Sequence, residues 1–164
     1  IKELMDSLML QKCEEEFCIR IRDDGSKDAT VKILLEYQRR YPKKILIEQN
    51  IVPTGSAKYN FFKLLEDAQG EYIMFCDQDD IWCSDKIKET VNALRNDEEL
   101  LAVCCAAEVI DGDGNVIDVP KNIGVFFDKD DGSILSFAPT QFDMIAVNPK
   151  LIAKPGRTEN IPIA

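Results

Sequence analysis

One stretch constrains this chain more than any other: Tyr72-Ile73-Met74-Phe75-Cys76 runs straight into Asp77-Gln78-Asp79-Asp80. An uninterrupted apolar run that short reads as a strand buried on both faces, as in a parallel sheet. Ligands of open α/β sheets sit beyond the carboxyl ends of such strands. Asp77, Asp79 and Asp80 are therefore expected at the functional edge. Carboxylates so close repel one another by about 1 kcal/mol per pair in bulk water, and by more where water is scarce. A hard divalent cation would offset that repulsion. A solvated acidic loop, with Asp80 or Ser84 capping the next helix, would do so equally well.

The flanking sequence supports a layered α/β fold. Ile1, Leu4, Met5, Leu8 and Met9 lie on one face of a helix. A short strand, Phe17–Ile21, ends in Asp23-Asp24-Gly25-Ser26. Gly25 permits a tight turn there, and Ser26 or Asp28 can cap a helix that runs from about Asp28 to Tyr41 and stops at Pro42. Ile45-Leu46-Ile47 forms the next strand. A loop from Asn50 to Gly55 then leads into a helix opened by Ser56, with Gly70 at its C-cap. After the Tyr72–Cys76 strand come a helix from about Ser84 to Arg95 and a buried strand from Leu100 to Cys105. Such alternation predicts a mainly parallel sheet with right-handed crossovers and helices on both faces.

Beyond Ala107 the pattern changes. Asp111-Gly112-Asp113-Gly114-Asn115 predicts a turn between two short strands. As a calcium loop it fails, since Val116 and Asn122 stand where glycine and glutamate are needed. Lys121–Ser136 reads as irregular, Thr140–Val147 as extended, and a short helix is expected after Pro149.

Composition excludes several functions. The 164 residues suit one domain with a real core, and the net charge of −10 opposes nonspecific binding to nucleic acid or to anionic membranes. No apolar stretch is long enough for a membrane span, and no signal peptide is visible. The six cysteines contain no C-x-x-C pair, and a reduced, cytoplasmic setting accounts for them most simply, with Cys76 and Cys104 as small core residues. The chain has no histidine, so acid-base work must fall to Asp, Glu, Lys, Tyr or Cys.

Three motifs in order resemble the family 2 glycosyltransferases. Ile19 to Asp28 is similar to that family's strand ending in D-D-G-S-x-D, Gly55 to Asn60 to its Gly-to-Asn segment, and Gly70 to Asp80 to its G-E-Y-I strand and D-x-D motif. Asp77-Gln78-Asp79-Asp80-Ile81-Trp82 with Asp85-Lys86 looks most like the bacterial rhamnosyltransferase-type branch. The resemblance implies a GT-A fold and metal-dependent, inverting transfer of a sugar from a nucleotide-diphosphate-sugar donor to a glycan or lipid-linked acceptor, in bacterial cell-surface polysaccharide synthesis. It implies donor contacts at Asp23, Asp24, Gly55, Asn60 and Asp77. It also implies Mg²⁺ or Mn²⁺ on Asp79, with Asp77 on the ribose or on the metal. Turn chemistry alone would explain Gly25 and Ser26, and Asn60 would serve equally as a polar helix residue. Lys58 and Trp82 read as a solvated lysine and a packed ring.

The sequence departs from the family in two places. The first strand and the late acidic pair that activates the acceptor are not found, and only Asp143 and Glu159 can be nominated as base. Glu108 or Asp111 lies near an acidic position of the family. The expectation is a single partial GT-A domain over residues 1–164, truncated at both ends and inactive alone. Two alternatives stand beside it: a binding module that keeps the fold without the chemistry, and a haloacid-dehalogenase-type phosphatase with Asp77 as nucleophile.

Overall fold

The computed structural model describes residues 1–97, 100 and 102–117, together with strands at 126–127, 134–136 and 142–147. In chain order the elements are α1 (Lys2–Met9), β1 (Ile19–Asp23), α2 (Thr30–Arg40), β2 (Ile45–Gln49), α3 (Ala57–Glu66), β3 (Ile73–Met74), α4 (Lys86–Asn96), β4 (Ala102–Ala106), β5 (Phe126–Phe127), β6 (Ile134–Ser136) and β7 (Phe142–Val147).

The alternation of strand and helix forms as expected through β4. β1 and β2 pair in parallel, Ile19 opposite Ile45 through Asp23 opposite Gln49. β7 lies between β3 and β4 and runs antiparallel to both. Among the described residues β1–β2 and β3–β7–β4 are thus separate ladders, the first parallel and the second antiparallel. β3 is also shorter than the Tyr72–Cys76 run and only half-buried. A short hairpin of β5 and β6 occupies part of the stretch read as irregular. The helix expected after Pro149 lies outside the described residues.

One core joins three helices to the sheet. Leu4, Met5 and Leu8 of α1, Leu34 and Tyr37 of α2, Ile45 of β2, and Trp82, Ile87 and Val91 at α4 form a single buried cluster. Ile19 and Ile21 of β1 pack against it. Side chains of a strand alternate between its two faces, so Arg20 and Arg22 project to the opposite side. There Arg20 meets Asp67, just past the end of α3, at 3.6 Å. α3 packs on that second face, which places helices on both sides of the strands.

Local chemistry starts and stops these elements. Ser56 caps α3 by accepting from the Tyr59 N–H at 3.3 Å, and Asp28 accepts from Thr30 N–H at 3.0 Å as α2 begins. α4 starts at Lys86 with Asp85 as N-cap, so neither Asp80 nor Ser84 caps it. α3 ends at Glu66 with Asp67 as its C-cap. Gly70 is therefore not the cap; a Cβ there would lie 2.8 Å from the Tyr72 carbonyl oxygen, and that close approach is what needs glycine. Cys76 is half-buried against the core, whereas Cys104 is exposed rather than part of it. Ile110 and Val116 bridge antiparallel across the Asp111–Asn115 turn, as expected.

Candidate active site

β1 delivers two adjacent carboxylates that do different things. Asp23 is buried and turned back on its own turn, accepting from Gly25 N–H at 3.1 Å and from Ser26 N–H at 3.2 Å. Asp24 reaches across to the loop after β2. Its Oδ1 accepts from Thr54 N–H at 2.8 Å, Thr54 Oγ1–H at 3.0 Å and the Asn50 amide at 2.6 Å. Its Oδ2 accepts from Gly55 N–H at 2.7 Å. These donors, Thr54 N–H foremost and Asn50 next, hold the Asp24 carboxyl far below the usual carboxylate range. Gly55 is needed here for its backbone, since its φ is +66°.

Asn50 extends the assembly to α3. Its amide also donates to Asn60 Oδ1 at 2.8 Å, while its own Oδ1 accepts from Arg22 Nε–H at 2.8 Å. Arg22 Nη1 is in turn 2.6 Å from Glu48 Oε2. Asp24, Gly55 and Asn60 are thus brought together as the motifs suggested. Asn50, Arg22 and Thr54 were missed. Nothing local marked the first two: Asn50 lies just past β2, and Arg22 is one of the polar positions alternating with isoleucines along β1, whose partner Glu48 only the strand register reveals.

The second acidic group lies in the turn after β3. Asp77 and Asp79 are exposed and Asp80 is half-buried. Asp80 N–H donates to the Asp77 carbonyl at 3.4 Å, closing the turn. Asp79 and Asp80 line a cavity of about 390 Å³ with Glu3, Ile81 and Asp111, and Asp24, Gly55 and Asn60 are not among its walls. α3 links the two groups. Asn60 is tied to Asp24 through the Asn50 amide, which donates to both, and the next residue, Phe61, meets Phe75 edge to face at 5.4 Å between ring centres, two residues before Asp77.

Among the described residues no three acidic, cysteine or histidine side chains are arranged to hold a metal ion. The exposed carboxylates of Asp77 and Asp79 fit a cation that takes one or two protein ligands and completes its shell with phosphate oxygens and water. Trp82 is 6% exposed, its backbone N–H donates to Ser7 Oγ at 3.0 Å, and Lys86 lies over its ring, so it packs as the composition suggested. Lys58 is exposed. The Asp111 carboxylate is committed to its own turn, accepting from Asp113 and Asn115 N–H groups at 2.9 Å. Asp143 falls on β7 opposite Cys105, and Glu159 lies outside the described residues.

Comparison with known proteins bears on the family and the fold. The dTDP-rhamnosyl transferase RfbG of Shigella flexneri is 41% identical over 97 residues, which cover 57% of this chain and 33% of that protein. The poly(ribitol-phosphate) beta-glucosyltransferase of Bacillus spizizenii is 35% identical over 83 residues, or 49% of this chain and 13% of the relative. The chain spans about a third of the length of RfbG. The crystal structure of S. aureus TarS 1–349 in complex with UDP superposes with a TM-score of 0.63 at 24% identity, covering 75% of this chain and 35% of that one. That likeness shows the GT-A fold. The model of the family described as "Glycosyl transferase family 2" matches residues 1–148, which leaves no place for the phosphatase alternative: the chain belongs to glycosyl transferase family 2.

Proposed function

We propose that this chain carries the donor-binding part of a glycosyltransferase. The enzyme transfers a sugar from a nucleoside-diphosphate sugar to a glycan or lipid-linked acceptor. One observation carries the reading: the hydrogen-bonded group of Asp24, Gly55 and Asn60 shares α3 with the exposed Asp77–Asp79 turn. The first group faces the nucleoside. Asp23 shapes the turn that presents it, because both its oxygens already accept from that turn. The second group holds the diphosphate through Mg²⁺ or Mn²⁺, with Asp79 as first ligand and Asp77 on the ribose or the metal. Held there by Asp79 and Asp77, such a cation would supply positive charge to offset that of the leaving nucleoside diphosphate. Transfer is inverting, by in-line attack of the acceptor hydroxyl, with a carboxylate as base.

Similarity to RfbG favours a deoxyhexose donor of the rhamnosyl type and a role in bacterial cell-surface polysaccharide synthesis. No helix of the described residues is long and apolar enough to cross a membrane. We place the reaction at the cytoplasmic face, where nucleotide sugars are made.

The test is calorimetric titration of Mn²⁺ into the protein with and without thymidine or uridine diphosphate. Metal should bind more tightly with the nucleotide present, because phosphate oxygens complete its shell. Asp79→Asn should weaken this ternary binding by about tenfold or more, as expected when a contact to a charged group worth roughly 1.5–3 kcal/mol is removed. Unchanged binding in that variant would make the turn a solvated acidic loop. A binding module without transfer would keep the ternary complex and release no nucleoside diphosphate from any nucleotide sugar.

A further inference from the structure

The Asn50 side chain makes three hydrogen bonds, and they fix its orientation. Arginine can only donate hydrogen bonds. The contact from Arg22 Nε–H at 2.8 Å therefore fixes which end of the Asn50 amide is oxygen. Its NH₂ end must then face Asp24 Oδ1 and Asn60 Oδ1, at 2.6 and 2.8 Å. Arg22 is itself anchored on Glu48 at 2.6 Å. The same logic passes on to Asn60. With its Oδ1 accepting from Asn50, its own NH₂ end turns the other way. Asn60 is half-buried, no described residue accepts from that NH₂, and it is not among the buried polar atoms without a partner, so it is open to solvent.

We propose that Asn50 is a positioning residue of the donor site: oriented by Arg22, it locks the Asn60 amide with its NH₂ outward, as a hydrogen-bond donor to an oxygen of the bound nucleoside diphosphate. The inference rests on the donor-binding reading above. It gives a polarity to the chain Glu48, Arg22, Asn50, Asn60, ligand. Without Asn50 the Asn60 amide is free to rotate, and half of its orientations present an oxygen to an oxygen. Asp24 would stay held by Thr54 and Gly55, so the loop itself keeps three of its four ties.

A double-mutant cycle on the full chain separates this role from a structural one. Dissociation constants for uridine and thymidine diphosphate with Mn²⁺ are measured for Asn50→Ala, Asn60→Ala and the double variant. Each single change should raise the constant for the nucleotide that binds by about fivefold to tenfold, as for loss of one hydrogen bond. The double variant should be no weaker than Asn60→Ala alone, because Asn50 acts through Asn60. Additive losses, or unchanged affinity in Asn50→Ala, overturn the proposal. A ligand-free readout stands beside it. The Asn60 side-chain amide signals in a nitrogen–proton NMR spectrum should shift in Asn50→Ala, and unshifted signals also overturn the proposal. If the unaltered protein binds neither nucleotide, the donor reading fails and the inference falls with it, even where the NMR signals confirm the tie.

Discussion

Asp24 commits its carboxylate to the loop after β2, and the commitment has a pH dependence whose sign is fixed. The folded protein holds this group well below its usual value, through Thr54 and Asn50 first. The unfolded chain releases its proton near pH 4. The stabilisation is therefore fully present above about pH 4 and is lost as the pH falls further. Asp24→Asn removes the charge and sets an amide against backbone donors. The melting temperature of the unaltered protein should exceed that of Asp24→Asn at pH 7, and the gap should narrow below about pH 4. Asp6, Glu15, Asp28 and Asp111 are depressed in the same direction but are common to both proteins, so they cancel in the difference. A gap that stays constant down to pH 3 would mean that Asp24 is not held as an anion. At this scale the motifs located Asp24, Gly55 and Asn60, because a turn and a helix start leave local signatures. Asn50 and Arg22 left none, since their meaning depends on which strand lies beside β1 and in what register.

At the scale of elements, the loop that carries Thr54 and Gly55 is supported from beneath by the turn after β1. Gly25 has φ +95°, and a Cβ there would lie 2.8 Å from Pro53 Cγ. Gly25→Ala meets both obstacles, a left-handed conformation costing about 1–2 kcal/mol and a clash with a stiff ring. The Pro53 loop must move to relieve it. We expect a melting temperature lower by roughly 2–8 °C, at about 2–4 °C per kcal/mol for a chain of this size, together with faster amide exchange at Thr54 and Gly55. Gly112→Ala, with open space around its Cβ position, is the control and should change stability by no more than about 0.5 kcal/mol. Normal exchange at Thr54 and Gly55 in Gly25→Ala would separate the turn from the loop. The local pattern had already suggested this turn, just as it suggested every helix through α4. It did not reveal β7 between β3 and β4, because an apolar run shows that a strand is buried and not which neighbour it has or which way that neighbour points. It also overstated the burial of β3 and of Cys104, since apolar character in sequence is only a tendency towards the interior.

At the scale of the molecule, α1 couples parts that share no strand ladder. Among the described residues, β1–β2 and β3–β7–β4 form separate ladders. α1 touches both sides. Asp6 accepts from the Tyr37 hydroxyl of α2, and burial, with that carboxylate as the next cause, pushes the Tyr37 pKa up to about 12. In the other direction Ser7 Oγ accepts from Trp82 N–H at 3.0 Å, and Gln11 bridges Cys83 O at 2.8 Å and Ile87 N–H at 3.1 Å. Lys12 N–H adds a bond to Ser84 O at 2.6 Å. Met5 sits between these contacts, fully buried at 0% exposure. Met5→Ala should therefore cost about 2–5 kcal/mol through lost burial and the cavity left behind. That lowers the melting temperature by roughly 4–20 °C. Because α1 belongs to one core with both parts, they should still melt together, as a cooperative unit does. Fluorescence of the single tryptophan, Trp82, reports the α4 side, and NMR amide signals of Ile19 and Ile21 report the β1 side. Coincident curves that move down together in Met5→Ala are expected. If Trp82 melted early while β1 held its original midpoint, α1 would be an accessory of the α4 side alone, and the Asp24 group and the acidic turn would have to be aligned by α3 without its help.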